Sequence, residues 1–476
     1  LSGLGDILIM PTTGDLNLSP GTEDNPDSGY MSRFSHDHER TRAGYYSVHL
    51  NDYDIKVELT ASKRVGFHRY SYFHNEETHI IIDPTHHQME SIIETEVEIL
   101  SSTEIRGYKM SKGEAGIRKV YFYSKFSKPF LSSGLVLNDS TFTNKRVLRD
   151  KNTKIWTLFN VEQGEQLEVQ TALSFVSYEG AFNNFQEEGE GIGFNEAFTE
   201  TEKIWRDKLS RITVEGSKTE KRNFYTALYH SYISPNIFSD VDGKYMVEGK
   251  QYHSDFDQYS TFSTWDTYRS LHPLLTILEQ KKTADFVNSL SSRYTDSKVG
   301  LPVWELLGHD NACMIGYSPV SPMADAILKN VKGINIDDAY EAMKAAAMSL
   351  EKHSPNYDVN GMQYYNEMGY VPGDIGSSVS KTTEQNYYDW TISRVAEELG
   401  KIEDAQFFNQ RSKGYLNLYN PEKNYLWPKS LTGNWMEMDL TNWESLITNY
   451  VSGNIWGYSS YTPHDMAGII SKMGGR

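Results

Sequence analysis

One stretch of the sequence sets a carboxylic acid among aromatic side chains. Thr382 or Thr383 could cap a helix here. Glu384 would then lie in the first turn, with Tyr387 and Tyr388 one turn further on. Aromatic neighbours exclude water from a carboxyl group and raise its pKa, which keeps a glutamate protonated long enough to act as a general acid. Glu384 is therefore a candidate catalytic acid, and the alternative, which the local pattern alone favours, is a helix-capping carboxylate.

A second stretch sets an aromatic ring, a carboxylate and a guanidinium at helical spacing. Ser263 or Thr264 could cap a helix that starts at Trp265. Asp266 would then lie in the first turn, where the helix dipole favours a carboxylate, and Arg269 would share its face. Trp265, Asp266 and Arg269 could thus line a sugar pocket at the helix N-terminus. The alternative is a capped helix with a structural ion pair between Asp266 and Arg269.

Polar groups stand beside aromatic rings again near the end of the sequence. Asn454 precedes Trp456 by two residues, and His464 and Asp465 follow Pro463. Amide, imidazole and carboxylate groups in this setting could contact a polyol or a hard cation. The alternative is a helix that begins at the proline and holds a local hydrogen-bond network.

The tetrapeptide Asp240-Val241-Asp242-Gly243 has the acidic spacing with which a calcium-binding loop begins. A complete loop needs further acidic ligands and a glutamate at a fixed distance, and the sequence lacks them. A simple turn is therefore the predicted structure.

Composition limits the classes of protein that remain. The chain has 476 residues, enough for two domains, and a net charge of −18, which argues against nucleic-acid binding. Its single cysteine excludes an internal disulfide and a cysteine-based zinc site. No stretch approaches the roughly 18 apolar residues of a membrane span, and no initial methionine or signal segment opens the sequence. We expect one or both ends of a longer parent protein to be missing.

The elements that must position these residues fall into two halves. In the first half, apolar and polar side chains alternate with period two, and turn formers separate the runs without intervening helices. This pattern predicts an antiparallel β-sandwich that ends near a glycine-rich segment at residues 189–193. The predicted strands include residues 46–50, 55–60, 79–83, 96–100, 119–123 and 167–171.

The second half has the hydrophobic period of a helix. Residues 195–212 predict an amphipathic connecting helix with Phe198, Ile204, Trp205 and Leu209 on one side. Repeated helices with long loops favour an α/α toroid whose loops form a pocket at one end, although periodicity alone equally allows an irregular helical bundle. Further helices are predicted at residues 219–234, 265–279, 282–295, 319–331, 336–352, 379–399, 402–417 and 463–473.

Short motifs occur along the whole chain in a specific order. They are Gly5–Ile7, Met10–Gly14, Phe34–His36, Gly44–Tyr46, Glu58–Thr60, His68–Tyr70, Phe224–His230, Asp240–Gly243, Trp265–Arg269, Ser378–Thr382 and Pro463–Asp465. Each is short, but their order and spacing together are specific. With them the chain resembles glycoside hydrolase family 92, the bacterial calcium-dependent exo-α-mannosidases.

The resemblance implies a mixed architecture. It comprises an antiparallel β-sandwich over residues 1–190, a linking helix over 191–216 and an (α/α)6 barrel over 217–476 that is incomplete at its C-terminal end. The acidic pair that supplies the family's general base is expected beyond Arg476. An isolated fragment of residues 1–476 is therefore expected to be inactive.

The resemblance also implies a chemistry: hydrolysis of terminal α-mannose from glycans with inversion, assisted by Ca²⁺. Glu384 matches the family's general acid, and Asn454 is expected to help to hold the calcium ion. The implied substrates are mannose-containing glycans, N-glycans among them, and the implied location is the periplasm or the outside of the cell. The residues expected to bind substrate are Trp265, Asp266, Arg269, Trp456, His464 and Asp465.

The sequence departs from the family pattern at Ser318, Ser452, Gly457 and residues 309–311. These positions are expected near the leaving sugar, so they bear on linkage preference. Two other classes stay open. One is a mannoside-binding protein without turnover, which the retained Glu384 argues against. The other is a different (α/α)-barrel carbohydrate enzyme such as a phosphorylase, which would need a phosphate site, and the helical half has no basic cluster that suggests one.

Overall fold

The computed structural model describes residues 5–22, 24–138, 140–311, 313–348 and 361–475. The chain forms two compact units. The first unit comprises Leu1–Ile233 and Ile237–Asp257, and the second comprises Ser234–Asn236 and Gln258–Arg476. The helix predicted as a linker belongs to the first unit, and the predicted boundaries at residues 190 and 216 stay predictions. Among the described residues, no helix has the length and apolar character needed to cross a bilayer.

The first unit is built around two antiparallel sheets, which confirms the predicted sandwich. Each of the six predicted runs falls on a strand. The smaller sheet has five strands, in the order Leu8–Thr13, Glu76–Asp83, Thr153–Val161, Ser132–Leu137 and Ser140–Phe142. The larger sheet has nine, in the order Val147–Asp150, Ser91–Ile99, Glu104–Gly113, Gly116–Phe126, Gln166–Ser174, Val65–Tyr72, Ile55–Ala61, Tyr45–Leu50 and Arg40–Arg42.

The core of this unit joins the inner faces of the two sheets. One apolar cluster contains Ile80 and Ile82 from the smaller sheet and Val97, Phe122 and Leu167 from the larger, all fully buried. Successive side chains of a strand point to opposite faces, so a strand with one face in a core buries every second residue. The period-two pattern of the sequence therefore follows from this packing.

The sequence prediction lacks the helix Tyr178–Glu188, which follows the last strand of the larger sheet. Ser177 caps this helix by accepting a hydrogen bond from a backbone N–H of its first turn. Ala181 and Phe185 pack with Phe67 of the larger sheet in a second apolar cluster. With only three turns, its helical period is too brief to stand out against the strands before it.

The predicted connecting helix is present at Phe194–Leu209. Its buried side chains are Phe194 and Ala197, which pack on the second apolar cluster. Ile204, predicted to belong to the apolar side of the helix, is 48% exposed. The predicted apolar side is therefore wrong in part, because Ile204 is exposed while Phe194 and Ala197 are buried.

The acidic tetrapeptide forms a turn, as predicted. The N–H of Gly243 donates to the carbonyl oxygen of Asp240 at 3.0 Å, and Gly243 adopts a left-handed φ of 78°. The buried Asp240 carboxyl accepts hydrogen bonds from Ser174 and Asn184 at 2.7 and 2.8 Å. Asp242 pairs with a neighbouring lysine at 2.7 Å. The two carboxylates thus stabilise the turn and its packing.

The first unit has one further helix, and both units contain 3₁₀ helices and short strands. That helix is Lys218–His230. The 3₁₀ helices are Pro26–Ser28, His36–His38, Gly373–Ile375 and Gly414–Leu418. The short strands are Asn236–Ile237, Lys244–Val247, Lys250–His253, Tyr259–Ser260, Phe262–Ser263, Trp304–Leu306, His309–Asp310, Tyr419–Asn420 and Tyr425–Leu426.

The second unit is mainly helical, which confirms the second half of the predicted fold class. The predicted helix over 265–279 is split in two, and residues 349–352 of another lie outside the described residues. The described helices are Thr264–Thr267, Leu271–Leu278, Gln280–Thr295, Val320–Leu328, Ile336–Met348, Met362–Met368, Ser378–Glu398, Ile402–Arg411, Trp443–Ile447, Ile455–Tyr458 and Met466–Lys472.

The longest helix of this unit, Ser378–Glu398, is enclosed by its neighbours. Of its 21 residues, 16 are buried. It packs against the helices Val320–Leu328, Ile336–Met348 and Ile402–Arg411. Many of its buried residues are polar, and buried polar groups are normally hydrogen-bonded. The helix therefore carries a set of enclosed polar networks through the unit.

Asp389 is the centre of one such network. Its carboxylate accepts two charge-assisted hydrogen bonds from Arg411, both at 2.7 Å. It also accepts one from Tyr317 at 2.7 Å and one from Tyr365 at 2.6 Å. These bonds fix the helix on which Glu384 lies.

Candidate active site

Glu384 lies in the second turn of its helix and not in the first, as the sequence predicted. The helix begins at Ser378, after Ser377 in a left-handed conformation with a φ of 53°. Neither Thr382 nor Thr383 caps it, because each hydroxyl donates to a carbonyl one turn back, at 2.8 and 2.9 Å. The predicted cap is therefore wrong, and so is the alternative that Glu384 is a capping carboxylate.

The carboxyl group of Glu384 is enclosed in a ring of donors. Oε1 accepts a hydrogen bond from Nη2 of Arg269 at 3.0 Å. Oε2 accepts hydrogen bonds from the hydroxyls of Tyr388 at 2.7 Å, Tyr461 at 3.1 Å and Tyr268 at 3.4 Å. The residue is fully buried, and this burial raises the pKa of Glu384, while Arg269 is the largest opposing influence.

Arg269 is held in place by aromatic rings. Its guanidinium carbon lies 5.1 Å from the ring centroid of Trp265, 4.6 Å from that of Tyr268 and 5.2 Å from that of Tyr461. Nη1 also donates to the Tyr461 hydroxyl at 3.0 Å. The side chain keeps 38% exposure, so one side of the ion pair with Glu384 faces open space.

In the part of the chain that the structure describes, no ion pair joins Asp266 to Arg269. The Asp266 side chain is exposed, and the guanidinium bonds Glu384 instead. The predicted structural ion pair is therefore wrong. Ser263 stands at the N-cap position without a side-chain cap bond, and Thr264 donates to a backbone carbonyl, so the predicted cap is also wrong.

Asn454 caps the short helix Ile455–Tyr458. Its Oδ1 accepts hydrogen bonds from the backbone N–H groups of Trp456 and Gly457, both at 3.1 Å. The Trp456 side chain is half exposed. No group of three or more histidine, cysteine, aspartate or glutamate residues that could hold a metal occurs among the described residues. Calcium binding by Asn454 therefore stays a prediction.

Asp465 and His464 belong to a local network, as the alternative for this segment proposed. Asp465 accepts hydrogen bonds from Lys413 at 2.7 Å and Tyr415 at 2.6 Å, and it caps the helix Met466–Lys472. His464 bonds through Nε2 to a backbone carbonyl at 2.8 Å. The helix begins at Met466 and not at the proline. The substrate-binding roles of these two residues stay predictions.

The structure thus brings Arg269 to Glu384, with the Trp265 ring against the guanidinium, and it holds Asn454, His464 and Asp465 in separate hydrogen-bond sets. Sequence reasoning missed Tyr268 and Tyr461 as partners of the acid. Tyr268 follows Trp265 by three residues, which was a usable signal. Tyr461 is 77 residues from Glu384, and no local pattern points to their contact.

Two of the positions that depart from the family pattern are internal. Ser318 is buried, and its hydroxyl lies 2.7 Å from that of Thr264. The buried Asp310 accepts hydrogen bonds from the N–H groups of Val303 and Trp304 at 3.2 and 3.3 Å. Ser318 and Asp310 thus contact Thr264, Val303 and Trp304, and Thr264 lies directly before Trp265.

The chain was compared with families and with known proteins. Residues 180–476 match the glycosyl hydrolase family 92 catalytic domain, and residues 1–174 match the glycosyl hydrolase family 92 N-terminal domain. A curated relative from Arthroderma benhamiae, described as an uncharacterized secreted glycosidase, is 24% identical over 92% of this chain and 60% of its own length.

Solved structures give a closer comparison. The α-mannosidase BT3965 of Bacteroides thetaiotaomicron is 36% identical, with a TM-score of 0.93 over 99% of this chain and 64% of that protein. The inverting mannosidase BT2199 of the same organism is 28% identical, with a TM-score of 0.88 over 98% of this chain and 62% of that protein. The chain therefore spans less than two thirds of the length of these relatives. The two family models together match almost its whole length, and the chain belongs to glycosyl hydrolase family 92.

Proposed function

We propose that the complete protein is an exo-acting α-mannosidase that removes terminal mannose from glycans with inversion of configuration. The observation that carries this proposal is the enclosed Glu384 carboxyl, held by one arginine and three tyrosines. The solved relatives support it. BT3965 is an α-mannosidase that also has a complex with mannoimidazole, and BT2199 is an inverting mannosidase. The proposed substrates are mannose-containing glycans, N-glycans included.

Glu384 would act as the general acid. Burial raises its pKa, which favours the protonated form that must give its proton to the glycosidic oxygen. The departing sugar then leaves as an alcohol, and Arg269 with the three tyrosines stabilises the carboxylate that remains. Inversion also needs a second carboxylate roughly 6.5–9.5 Å away, on the opposite face of the sugar ring, to activate water. We assign no described residue to that role.

Trp265, Asp266 and Arg269 would bind the sugar beside the acid. The indole Nε1 of Trp265 is buried and has no hydrogen-bond acceptor among the residues described, so it is available to a ligand hydroxyl. Asp266 is exposed on the same short helix, and carboxylates accept hydrogen bonds from sugar hydroxyls. A ring, a free donor and an acceptor on two consecutive residues suit a polyol.

The complete protein should release mannose from an α-linked mannobiose in water. The products are separated by anion-exchange chromatography at successive times. The same reaction with added inorganic phosphate separates the phosphorylase class, which would yield mannose 1-phosphate. No release in either medium would indicate a mannoside-binding protein without turnover.

Calcium is proposed as the assisting ion, although the described residues do not by themselves complete a site for it. Ca²⁺ is a hard ion that takes oxygen ligands, so it would contact sugar hydroxyls. Asn454 is the predicted ligand from this chain. We expect chelation to abolish hydrolysis and added Ca²⁺ to restore it. Activity is measured in excess chelator, and the metal content of the purified protein is determined in parallel. Full activity in chelator from a metal-free protein would rule the ion out.

Loss of one tyrosine should shift the pH profile. The Tyr388 hydroxyl donates to the Glu384 carboxylate and so lowers its pKa. In Tyr388→Phe the pKa of Glu384 should rise, and the alkaline limb of kcat/KM should move up by about 1–2 pH units. Tyr425→Phe is the matched control, because Tyr425 is not among the four side chains that hydrogen-bond Glu384. An unmoved limb in Tyr388→Phe would contradict this role.

Export from the cell is proposed from the fungal relative, which is described as secreted. The proposed location is the periplasm or the outside of the cell. Fractionation of the native source with an antibody against the protein tests the location.

A further inference from the structure

A cavity lies in the second unit against the side chains that hold the proposed acid. It measures about 430 Å³, within the roughly 300–1,000 Å³ of small-molecule sites. Tyr268, Arg269 and Tyr461 line it, and each of them hydrogen-bonds the Glu384 carboxyl. Every residue that lines the cavity belongs to the second unit. The network around the acid therefore forms part of the cavity wall.

Two helices line this cavity with faces of the same spacing. The helix Val320–Leu328 contributes Ser321, Ala324, Asp325 and Leu328, and the helix Ser378–Glu398 contributes Tyr387, Trp390, Thr391 and Arg394. Each set follows the i, i+3, i+4, i+7 pattern of a single helix face. Between Ser378 and Ala396, the three residues that are not buried are Tyr387, Trp390 and Arg394. The cavity is therefore an opening along the otherwise enclosed helix that carries the acid.

The cavity offers aromatic rings next to polar groups. The Tyr387 ring stacks with that of Tyr268 at a centroid distance of 5.6 Å and with that of Trp390 at 6.0 Å. Tyr387 and Trp390 each remain partly exposed, and the Tyr387 hydroxyl lies 3.5 Å from that of Ser321. Tyrosine and tryptophan present an apolar face and a polar edge, which match the apolar face and the hydroxyls of a pyranose. The lining thus suits a sugar ring.

The charged groups of the cavity lining already have partners. The ion pairs are Arg269 with Glu384 at 3.0 Å, Arg394 with Glu397 at 2.7 Å and Asp325 with Lys329 at 2.7 Å. A phosphate or carboxylate ligand is bound best by cations that are not already paired. A neutral polyol needs donors and acceptors without a net charge, and guanidinium, carboxylate and hydroxyl groups supply both. The lining therefore favours a neutral sugar over an anion.

We propose that this cavity is the subsite for the leaving sugar, the unit that the scissile bond joins to the terminal mannose. The assignment rests on the proposed function. Trp265 and Asp266, the contacts proposed for the terminal mannose, are not among the residues that line the cavity. Arg269 is a proposed contact of that mannose and also lines the cavity, so it borders both units. The proton of Glu384 goes to the glycosidic oxygen that joins them.

In this arrangement the leaving sugar stacks on the exposed parts of Tyr387 and Trp390. The substrates are accordingly α-mannosides with at least one further sugar unit. Methyl α-mannoside requires the same protonation by Glu384 but has no second sugar to fill the cavity. The complete protein should therefore hydrolyse an α-linked mannobiose with a higher kcat/KM than methyl α-mannoside.

The test measures the ratio of these two kcat/KM values in the complete protein and in two variants. Trp390→Ala removes a ring from the cavity wall and should lower the ratio roughly 5–30-fold. Ala324→Leu adds side-chain volume to the cavity without deleting a contact, and it should lower the ratio in the same direction. Ala345→Leu is the matched control, because Ala345 lies on the helix Ile336–Met348 and is not among the residues that line the cavity. Its ratio should be unchanged.

Thermal unfolding of each variant is measured in parallel. An unchanged ratio in a variant that keeps its unfolding midpoint would overturn the subsite. Lower midpoints in both variants with unchanged ratios would also overturn it, because they would show that the cavity is filled by protein in the complete molecule. Absence of hydrolysis of either substrate by the unaltered protein would instead overturn the proposed function.

Discussion

Replacing Glu384 with glutamine is expected to lower the hydrolysis of an unactivated α-mannoside by roughly 10²–10⁴-fold. Glutamine has nearly the same shape and can keep hydrogen bonds with the tyrosines, but it has no proton to give to the glycosidic oxygen. An aryl mannoside with an acidic leaving group needs little protonation and should lose far less. The measurement is kcat/KM for an α-linked mannobiose and for a dinitrophenyl α-mannoside.

Glu397→Gln is the control on the same helix. Its side chain is 58% exposed and pairs with Arg394, so both substrates should be hydrolysed at the normal rate. Equal losses on the two substrates in Glu384→Gln would count against the general-acid role. Such a result would indicate that the change disturbs binding or folding instead.

Replacing Arg269 with methionine is expected to move the alkaline limb of kcat/KM up by about 1–3 pH units. The guanidinium lowers the pKa of Glu384, while burial raises it. Removing the charge removes the largest influence that lowers this pKa, so the pKa should rise. The acid then stays protonated to higher pH. Absolute activity should also fall, because Arg269 is a proposed sugar contact, and the position of the limb is therefore the diagnostic quantity.

Arg269→Lys serves as the matched variant, because it keeps the charge without the planar fork and should shift the limb less. Stability gives a second readout. Glu384 has a folded pKa above its ordinary value, so its contribution to stability is present at low pH and is lost as pH rises through the folded pKa. In Arg269→Met this loss should occur at a higher pH. A limb unchanged in both variants would show that Arg269 does not set the pKa of the acid.

The fold class follows from the sequence because packing imposes a visible period on it. The strands alternate because one face of each sheet lies in the core, as at Ile80 and Ile82. The helix Ser378–Glu398 is different, because burial on all sides removes the contrast between faces. The predicted helix over 379–399 begins one residue from the observed start, but the cap predicted at Thr382 or Thr383 places Glu384 in the wrong turn.

The candidate site was predictable only where it is local. An acid beside Tyr388 at a spacing of four residues can be read from a helical pattern, and so can Trp265 beside Arg269. The ion pair of Arg269 with Glu384 spans 115 residues and overrides the local pairing with Asp266. Long-range contacts of this kind are set by tertiary packing, which a single sequence does not display.

The most direct test of the central claim, that Glu384 serves as the acid of an inverting α-mannosidase, is the anomeric form of the first mannose released. Proton NMR can follow an α-mannoside during hydrolysis by the complete protein, before the sugar equilibrates in water. Inversion predicts that β-mannose appears first and that the α-anomer grows only later by mutarotation. First release of α-mannose would mean a retaining mechanism, in which a second carboxylate attacks the sugar, and would contradict the account.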